Sequence, residues 1–199
     1  MKIIEEGFLE RNKKVLIISI IIMFLSIVLG GVISYSVSGN EGLVTESFKN
    51  ISANKTSDHN DTISKVTALG LFTHNLIADM VVMLCGLFFS FISVILVLYN
   101  GIGIGIPFGS DFTYACTSIL PHGIIEYLAS AVSLAIAFNI TKIEIKVIKK
   151  RKIKNLFKDY KTELKDILVL FFVVIILLLV AAIIESHITP WIVINYYGL

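Results

Sequence analysis

Long apolar stretches separated by polar segments dominate the hydrophobic pattern of this chain. Apolar residues prevail from Val15 to Val37, almost without interruption over 66–140, and again from Ile167 to Thr189. A helix of about 20 apolar residues spans the hydrocarbon core of a bilayer. With the middle stretch divided into three, the predicted spans lie at about 15–37, 66–85, 87–108, 115–140 and 167–189. We therefore predict an all-α, polytopic transmembrane helical bundle that forms a single membrane domain over residues 1–199.

The middle stretch leaves the number of spans open. Breaks are expected near Gly86 and from Pro107 to Phe112, where glycine or proline interrupts the apolar pattern. A short re-entrant or interfacial helix over 66–78 is an alternative to the second span, and one deep crossing flanked by re-entrant helices would give the same orientation. The first stretch is longer than the core of a signal peptide, about 7–15 residues, and is predicted to be an uncleaved helix.

Composition indicates a membrane protein. Hydrophobic residues make up 56% of the chain and the mean hydropathy is +0.86, whereas soluble domains are about 45–50% apolar. The net charge of +2 is too small to indicate a nucleic-acid partner, and the length leaves no room for a large soluble domain beside the spans. Cys85 and Cys116 lie in apolar surroundings and are typical of buried small hydrophobic residues.

The distribution of positive charge predicts an orientation. Segment 141–166 carries ten of the seventeen Lys and Arg residues, segment 38–65 carries three and residues 1–14 carry four. Because Lys and Arg accumulate on the cytoplasmic side, the N-terminus and segment 141–166 are expected in the cytoplasm. The 38–65 loop and the C-terminus are then outside. That loop contains three glycosylation-type tripeptides, which an ordinary Asn-, Ser- and Thr-rich loop would also contain.

Segment 141–166 is also amphipathic. Apolar residues recur on one helical face while lysines occupy the other, and the apolar positions are Ile153, Leu156, Phe157, Tyr160, Leu164 and Ile167. The pattern predicts a basic helix on the inner membrane surface, attracted by anionic lipid. It would anchor the last span or dock a cytosolic partner.

Polar residues inside the predicted spans are the candidate functional residues. His122 and Glu126 are four residues apart and share a helix face, as do Asn75 and Asp79. An ionisable group at membrane depth costs at least ~2.5 kcal/mol and usually faces a bundle interior or a wet cavity. In the predicted orientation these residues fall in the outer half of the membrane. We therefore expect one buried, outer-leaflet polar site, consisting of Asn75, Asp79, Asn100, His122, Glu126 and Glu185.

A zinc site is one chemistry that these residues would allow. Catalytic zinc sites use three protein ligands and leave a position open, and the candidate ligands are His122, Glu126 and Glu185, with Asp79 as general base or fourth ligand. His122 and Glu126 are a single pair, however, and the chain has no H-E-x-x-H motif. No other cofactor is indicated.

The glycines at 101–109 have a structural interpretation. The segment Asn100–Gly105 is not a G-x-G-x-x-G motif and follows no predicted strand, so phosphate binding is not indicated. Gly101 and Gly105, like Gly105 and Gly109, form small-xxx-small pairs, which are typical of close helix packing. A broken helix end near Pro107 is the alternative.

Several motifs together resemble the stage II sporulation protein M family. They are the L-P-H-G-I-I-E run at 120–126, the N-G-x-G-x-G segment at 100–105, the span with Asn75, and the A-A-I-I-E-S-H-I-T-P ending at 181–190. The resemblance covers most of the chain in order. It implies a component of an envelope complex that, in sporulating bacteria, acts during engulfment with a peptidoglycan-degrading partner. Similar proteins occur in non-sporulating organisms, including archaea. The polar positions implied are Asn75, Asn100, His122, Glu126 and Glu185.

Three functions remain as hypotheses. A non-enzymatic scaffold or assembly component of a cell-envelope complex would use the polar residues as a hydrogen-bonded network that fixes helix packing. A transporter or channel subunit would use the intramembrane acids and histidine as an ion route, and five spans would then favour a homodimer. A membrane-embedded metal-dependent hydrolase would use the zinc ligands named above. The expected partners are the lipid bilayer and proteins of a membrane complex, and a scaffold is favoured over an enzyme.

Overall fold

A computed structural model describes residues 7–38, 67–150 and 156–197. All regular structure within these ranges is helical. Five helical stretches there are long and apolar enough to cross a membrane: Phe8–Val37, Ala68–Phe88, Phe91–Ser110, Phe112–Lys149 and Lys161–Tyr197. The prediction of an all-α bundle with five membrane-spanning segments is therefore confirmed. The three glycosylation-type tripeptides lie outside the described residues.

The spans divide into regular helices and short irregular turns. The α-helices are α1 (Phe8–Ser38), α2 (Ala68–Leu84), α3 (Phe91–Ser110), α4 (Phe112–Tyr114), α5 (Leu120–Lys150), α6 (Leu156–Asp159), α7 (Lys161–Ile183) and α8 (Thr189–Tyr197). A 3-10 turn, Cys85–Phe88, continues α2. Two π-helical segments, Ala115–Ile119 and Ile184–Ile188, join α4 to α5 and α7 to α8.

Helix α5 forms the centre of the bundle. Within its span 56% of the most apolar stretch is buried, against 22–28% in the other four spans. One core cluster joins α5 to α2 and α7 through Met83, Ala129, Val132, Ile136, Leu170, Val174 and Leu178. A second joins it to α1, α2 and α3 through Met23, Val82, Val97, Ala131 and Leu134. The outward faces of the surrounding helices carry exposed Leu, Ile and Phe side chains, as expected for surfaces that contact lipid.

Helices α1 and α3 pack along a seam of glycines. A Cβ atom at Gly105 would lie 2.0 Å from the carbonyl oxygen of Ile27, and one at Gly30 would lie 2.1 Å from that of Ile102. Real Cβ atoms do not approach other atoms so closely, so the two backbones touch where no larger residue fits. The close helix packing predicted from the small-xxx-small pairs is confirmed.

The break between the second and third spans differs from the predicted one. Gly86 lies against Ala137 of α5, and the chain reverses three residues later, where Phe89 and Ser90 adopt left-handed φ angles of 51° and 55°. Thr141 of α5 fixes this turn: its hydroxyl donates to the carbonyl of Gly86 at 3.0 Å and lies 2.6 Å from that of Ser90. Gly86 therefore marks a close approach to α5, and the turn is stabilised by Thr141, which is distant in sequence.

The break after the third span lies within the predicted range 107–112, whereas the basic segment departs from its prediction. Helix α3 continues through Pro107 to Ser110, and the chain breaks at Asp111, whose carboxylate accepts a hydrogen bond from the backbone N–H of Tyr114 at 2.9 Å. The segment 141–166, predicted as one amphipathic helix, is distributed over the end of α5, the short α6 and the start of α7, with 151–155 outside the described residues.

Candidate functional site

Two prolines shape the region around the predicted polar site. Each π-helical segment lies just before a proline, Pro121 in one case and Pro190 in the other. Proline has no backbone N–H and its ring crowds the carbonyl four residues back, so a wider turn accommodates it. A π-turn inserts one residue into the helix and re-aims the side chains around it. The two irregular turns place His122 opposite the junction of α7 and α8.

His122 contacts two residues at the junction of α7 and α8. Its Nδ1 atom lies 3.1 Å from the Thr189 hydroxyl, within hydrogen-bond distance. Its Nε2 atom lies 3.9 Å from a carboxylate oxygen of Glu185, which is an ion-pair distance but too long for a hydrogen bond. His122 is buried, whereas the Glu185 side chain is 29% exposed. The two contacts of His122 therefore link the start of α5 to the α7–α8 junction.

Two further polar contacts link α5 to α2. The Asn75 amide donates a hydrogen bond to Glu126, and the Ser130 hydroxyl donates to Asp79 Oδ1 at 2.9 Å. The second oxygen of Asp79 is buried and has no hydrogen-bond partner among the described residues. Glu185 and Asp79 are the acidic neighbours of Glu126. We call these residues, with His122 and Thr189, the histidine–acid cluster.

Asn100 is separate from the histidine–acid cluster. It lies on the exposed face of α3, near the middle of that helix, and it lines an open groove of about 490 Å³. The groove, called the α3 groove below, is lined by Tyr99, Asn100, Ile102, Gly103, Ile104, Ile106, Pro107 and Ile119. The structure thus brings together five of the six predicted site residues and leaves Asn100 on the outside of the bundle.

The zinc prediction gains no support from the geometry. His122 faces Glu185, while Glu126 is engaged by Asn75 of α2. Among the residues that the structure describes, no group of three or more His, Cys, Asp or Glu side chains is arranged to hold a metal ion. The zinc site of His122, Glu126 and Glu185 stays a prediction.

A second polar cluster lies at the opposite end of the bundle. Arg11 of α1 makes a bidentate ion pair with the buried Asp166 of α7, with N···O distances of 2.7 and 2.8 Å. Asn12 donates to the same carboxylate at 3.1 Å and accepts from the Asn139 amide at 2.7 Å. Nearby, Lys146 and Glu163 form a more exposed pair at 2.8 Å. We call this set, with Lys142, the arginine cluster.

Comparison with known families identifies the chain. The model of the family "Stage II sporulation protein M" matches residues 19–190. The chain belongs to the stage II sporulation protein M family. No curated protein and no solved structure is significantly similar to it. In this family member the matched segment includes all six predicted site residues, and it excludes Arg11 and Asn12 of the arginine cluster.

The sequence interpretation missed the arginine cluster of this stage II sporulation protein M family member. Arg11 and Asn12 were placed in the polar N-terminal segment, and Asp166 in the basic segment. One signal was present, since Asn139 interrupts the apolar end of the predicted 115–140 span. A buried amide at the level where charged segments begin needs polar partners, and here they are supplied by Asn12 and Lys142.

Proposed function

We propose that this protein is a non-enzymatic membrane scaffold, an assembly component of a cell-envelope complex. The observation that carries the proposal is Asn100 on the exposed face of α3. It has no hydrogen-bond partner among the described residues, and it is the tenth residue of a 20-residue span. At 1.5 Å per residue this position is about 15 Å from either helix end, which is the depth of the bilayer centre.

An amide exposed to hydrocarbon at that depth is unfavourable. Transfer of an unpaired amide from water to an apolar medium costs roughly 2–7 kcal/mol, depending on the reference state, and lipid offers no hydrogen-bonding groups there. Pairing with a polar group of another membrane helix would remove this cost. Such interfaces are enriched in polar and small residues, and a Cβ atom at Gly103 would meet no atom within 4 Å. These features support close approach of a helix to the α3 groove.

A second copy of this chain is the occupant that we propose. An asparagine amide supplies both a donor and an acceptor, so two copies of Asn100 would satisfy each other. A twofold interface places the same patch on both partners, and the amide is self-complementary in that arrangement. The dimer would carry two sets of N-termini and basic segments, which the distribution of Lys and Arg predicts to be cytoplasmic.

The contacts of the histidine–acid cluster support a structural role for the remaining candidate residues. Each contact joins α5 to a different part of the bundle: α2 through Glu126 and Asp79, and the α7–α8 junction through His122. Side chains used in this way hold helices in register. Hydrogen bonds between membrane helices contribute about 0.6 kcal/mol on average, so their effect is on the choice of helix arrangement.

Cysteine crosslinking in native membranes tests the proposal. Cys85 and Cys116 are first replaced by alanine, and Gly103→Cys is compared with Ile176→Cys, a lipid-exposed position on α7 that is 60% exposed. We expect a disulfide-linked dimer from Gly103→Cys and none above background from Ile176→Cys. Adding Asn100→Leu should weaken dimerisation about threefold or more, since one interhelical hydrogen bond is lost. Equal crosslinking at the two positions would contradict the proposed interface.

Asp79 favours one further function, that of a proton- or ion-conducting subunit. Its second carboxylate oxygen is buried without a hydrogen-bond partner in the described part of the chain, and Glu126 is an acidic neighbour. Intramembrane acids with such surroundings are common in ion routes. Proteoliposomes with a pH-sensitive dye would test this: flux in the wild type that Asp79→Asn abolishes would favour conduction, whereas flux equal to that of empty liposomes would oppose it.

A further inference from the structure

Among the residues that the structure describes, the arginine cluster lines a pocket with three basic and two acidic side chains. The pocket has a volume of about 190 Å³, and its charged lining residues are Arg11, Lys142, Lys146, Glu163 and Asp166. Arg11 is paired with Asp166 and Lys146 with Glu163. Lys142 has no carboxylate within ion-pair distance among the residues that the structure describes, and its recorded hydrogen-bond acceptor is the neutral Asn139 Oδ1 at 3.2 Å. Within the described part of the chain, Lys142 is therefore the lining cation that lacks a carboxylate partner.

Buried amides hold the wall of this pocket in place. Asn139 is 7% exposed and Asn12 is 1% exposed. The amide of Asn139 donates a hydrogen bond to Asn12, and the amide of Asn12 donates one to Asp166. The Asp166 carboxylate also accepts hydrogen bonds from two nitrogens of Arg11. Because this chain of hydrogen bonds fixes the Asn139 oxygen, it also fixes the acceptor toward which Lys142 is directed. The cationic wall is thus built by three helices, α1, α5 and α7.

The position of the pocket restricts what can enter it. Arg11 lies in the first turn of α1, Lys146 in the last turns of α5 and Glu163 in the first turn of α7, so the pocket lies at one end of these three spans. Basic pockets between membrane helices at this level suit the phosphate groups of anionic lipids. A phosphate diester carries one negative charge, which matches the unpaired charge of Lys142.

We propose that this pocket binds a phosphate group, supplied by the headgroup of an anionic phospholipid or by a soluble phosphate ester. Lys142 is its direct cationic contact. Arg11 and Lys146 add positive potential from opposite sides while they remain paired with their own carboxylates. This inference is independent of the α3 groove and of the proposed dimer, because the pocket lies at another part of the surface.

Lipid and phosphate binding to four versions of the full chain provides the test. The wild type, Lys142→Gln, Lys142→Arg and Lys149→Gln are each placed in nanodiscs of phosphatidylcholine, with or without phosphatidylglycerol. Bound lipid is counted by native mass spectrometry. The phosphatidylcholine discs are also titrated with glycerol phosphate while thermal unfolding is followed. Lys149 is the matched control, since it is an exposed lysine of the same helix that does not line the pocket.

A headgroup site predicts that the wild type retains phosphatidylglycerol and that Lys142→Gln weakens this retention about fivefold, the effect of one basic residue near an anionic surface. Lys142→Arg and Lys149→Gln should keep it. If glycerol phosphate instead raises the unfolding temperature in a Lys142-dependent way, the source is a soluble phosphate ester. Two results would overturn the proposal, because the pocket would then add nothing to general surface charge. One is an equal loss of phosphatidylglycerol retention in Lys142→Gln and Lys149→Gln. The other is a wild type that neither retains phosphatidylglycerol nor is stabilised by glycerol phosphate.

Discussion

Replacing Gly105 by alanine should force α1 and α3 apart. The added methyl carbon would lie 2.0 Å from the Ile27 carbonyl oxygen and 2.8 Å from the Gly31 backbone nitrogen. Ordinary van der Waals contact begins at 3.4 Å, so one backbone must move by about 1.4 Å relative to the other. Both obstacles are main-chain atoms of a helix, and they cannot turn aside as a flexible side chain would.

The expected cost follows from two opposing effects. Overpacking a well-packed contact costs typically 1–3 kcal/mol, and a displaced α3 would also lose contacts along the rest of the seam. Alanine in place of glycine favours a helix by about 1 kcal/mol. A control variant that gains helix propensity without overpacking isolates the free-energy cost of the packing clash. Gly103→Ala is such a control, because its Cβ would meet nothing within 4 Å on the same helix.

The two variants and Gly31→Ala are compared by unfolding in mixed micelles of rising SDS content, followed by far-ultraviolet circular dichroism. A Cβ at Gly31 would lie 3.5 Å from the Gly105 carbonyl oxygen, an ordinary contact within the same seam. We expect Gly105→Ala to be at least about 2 kcal/mol less stable than Gly103→Ala, with Gly31→Ala close to Gly103→Ala, since it gains the same helix propensity without a clash. Equal stabilities of the Gly105 and Gly103 variants would refute the reasoning that backbone contact holds α1 to α3.

Three further results are expected. Asp166→Asn removes the charge that binds Arg11 and should lower the stability by about 1–3 kcal/mol in the same unfolding assay. Lys146→Gln breaks a more exposed ion pair and should lower it by less than about 1 kcal/mol. Similar losses of stability in the two variants would contradict the buried role of the Arg11–Asp166 pair. Thr141→Val should lose about 1–2 kcal/mol by releasing the turn between α2 and α3, and Thr141→Ser should restore most of it; failure of serine to do so would mean that the methyl group matters and not the hydroxyl. Glu126→Gln keeps an oxygen that accepts a hydrogen bond from the Asn75 amide. If Glu126 serves only in helix packing, the Gly103→Cys protein should form as much crosslinked dimer with Glu126→Gln as without it. A marked loss of crosslinking would show that the charge of Glu126 is required.

The sequence predicted helices and faces more successfully than it predicted their ends and partners. The five spans could be predicted because lipid requires a minimum length of continuous apolar helix. The i,i+4 pairs that include His122 and Asn75 do face the bundle interior. Asn100 was grouped with them because span rotation cannot be read from periodicity when all sides of a helix are apolar. The mean composition of α3 does not reveal which face contacts α1, and here the glycines pack against α1 while Asn100 faces outward.

The turn positions illustrate a different limit. Gly86 and Pro107 are the residues that usually interrupt helices, yet the chain reverses at Phe89 and Ser90 and continues helically through Pro107. The reversal depends on Thr141, which is distant in sequence, and no local pattern encodes such a contact. The arginine cluster is missed for the same reason, because its residues come from the N-terminal segment, the end of the 115–140 span and the basic segment.

Lipid contributes little hydrophobic attraction between helices, so packing and polar contacts must determine how this bundle assembles. Here these contacts have separate locations: glycines join α1 to α3, the histidine–acid cluster joins α5 to α2 and α7, and the arginine cluster joins α1 to α5 and α7. Helix α3 is thus attached mainly along the seam with α1, and its opposite face carries Asn100. A partner that binds this face should respond to changes at Gly105, which displace α3, and little to changes at His122, which act on helices behind α5. The dependence of Gly103→Cys crosslinking on Gly105→Ala but not on His122→Gln would therefore distinguish assembly through α3 from assembly through the bundle as a whole.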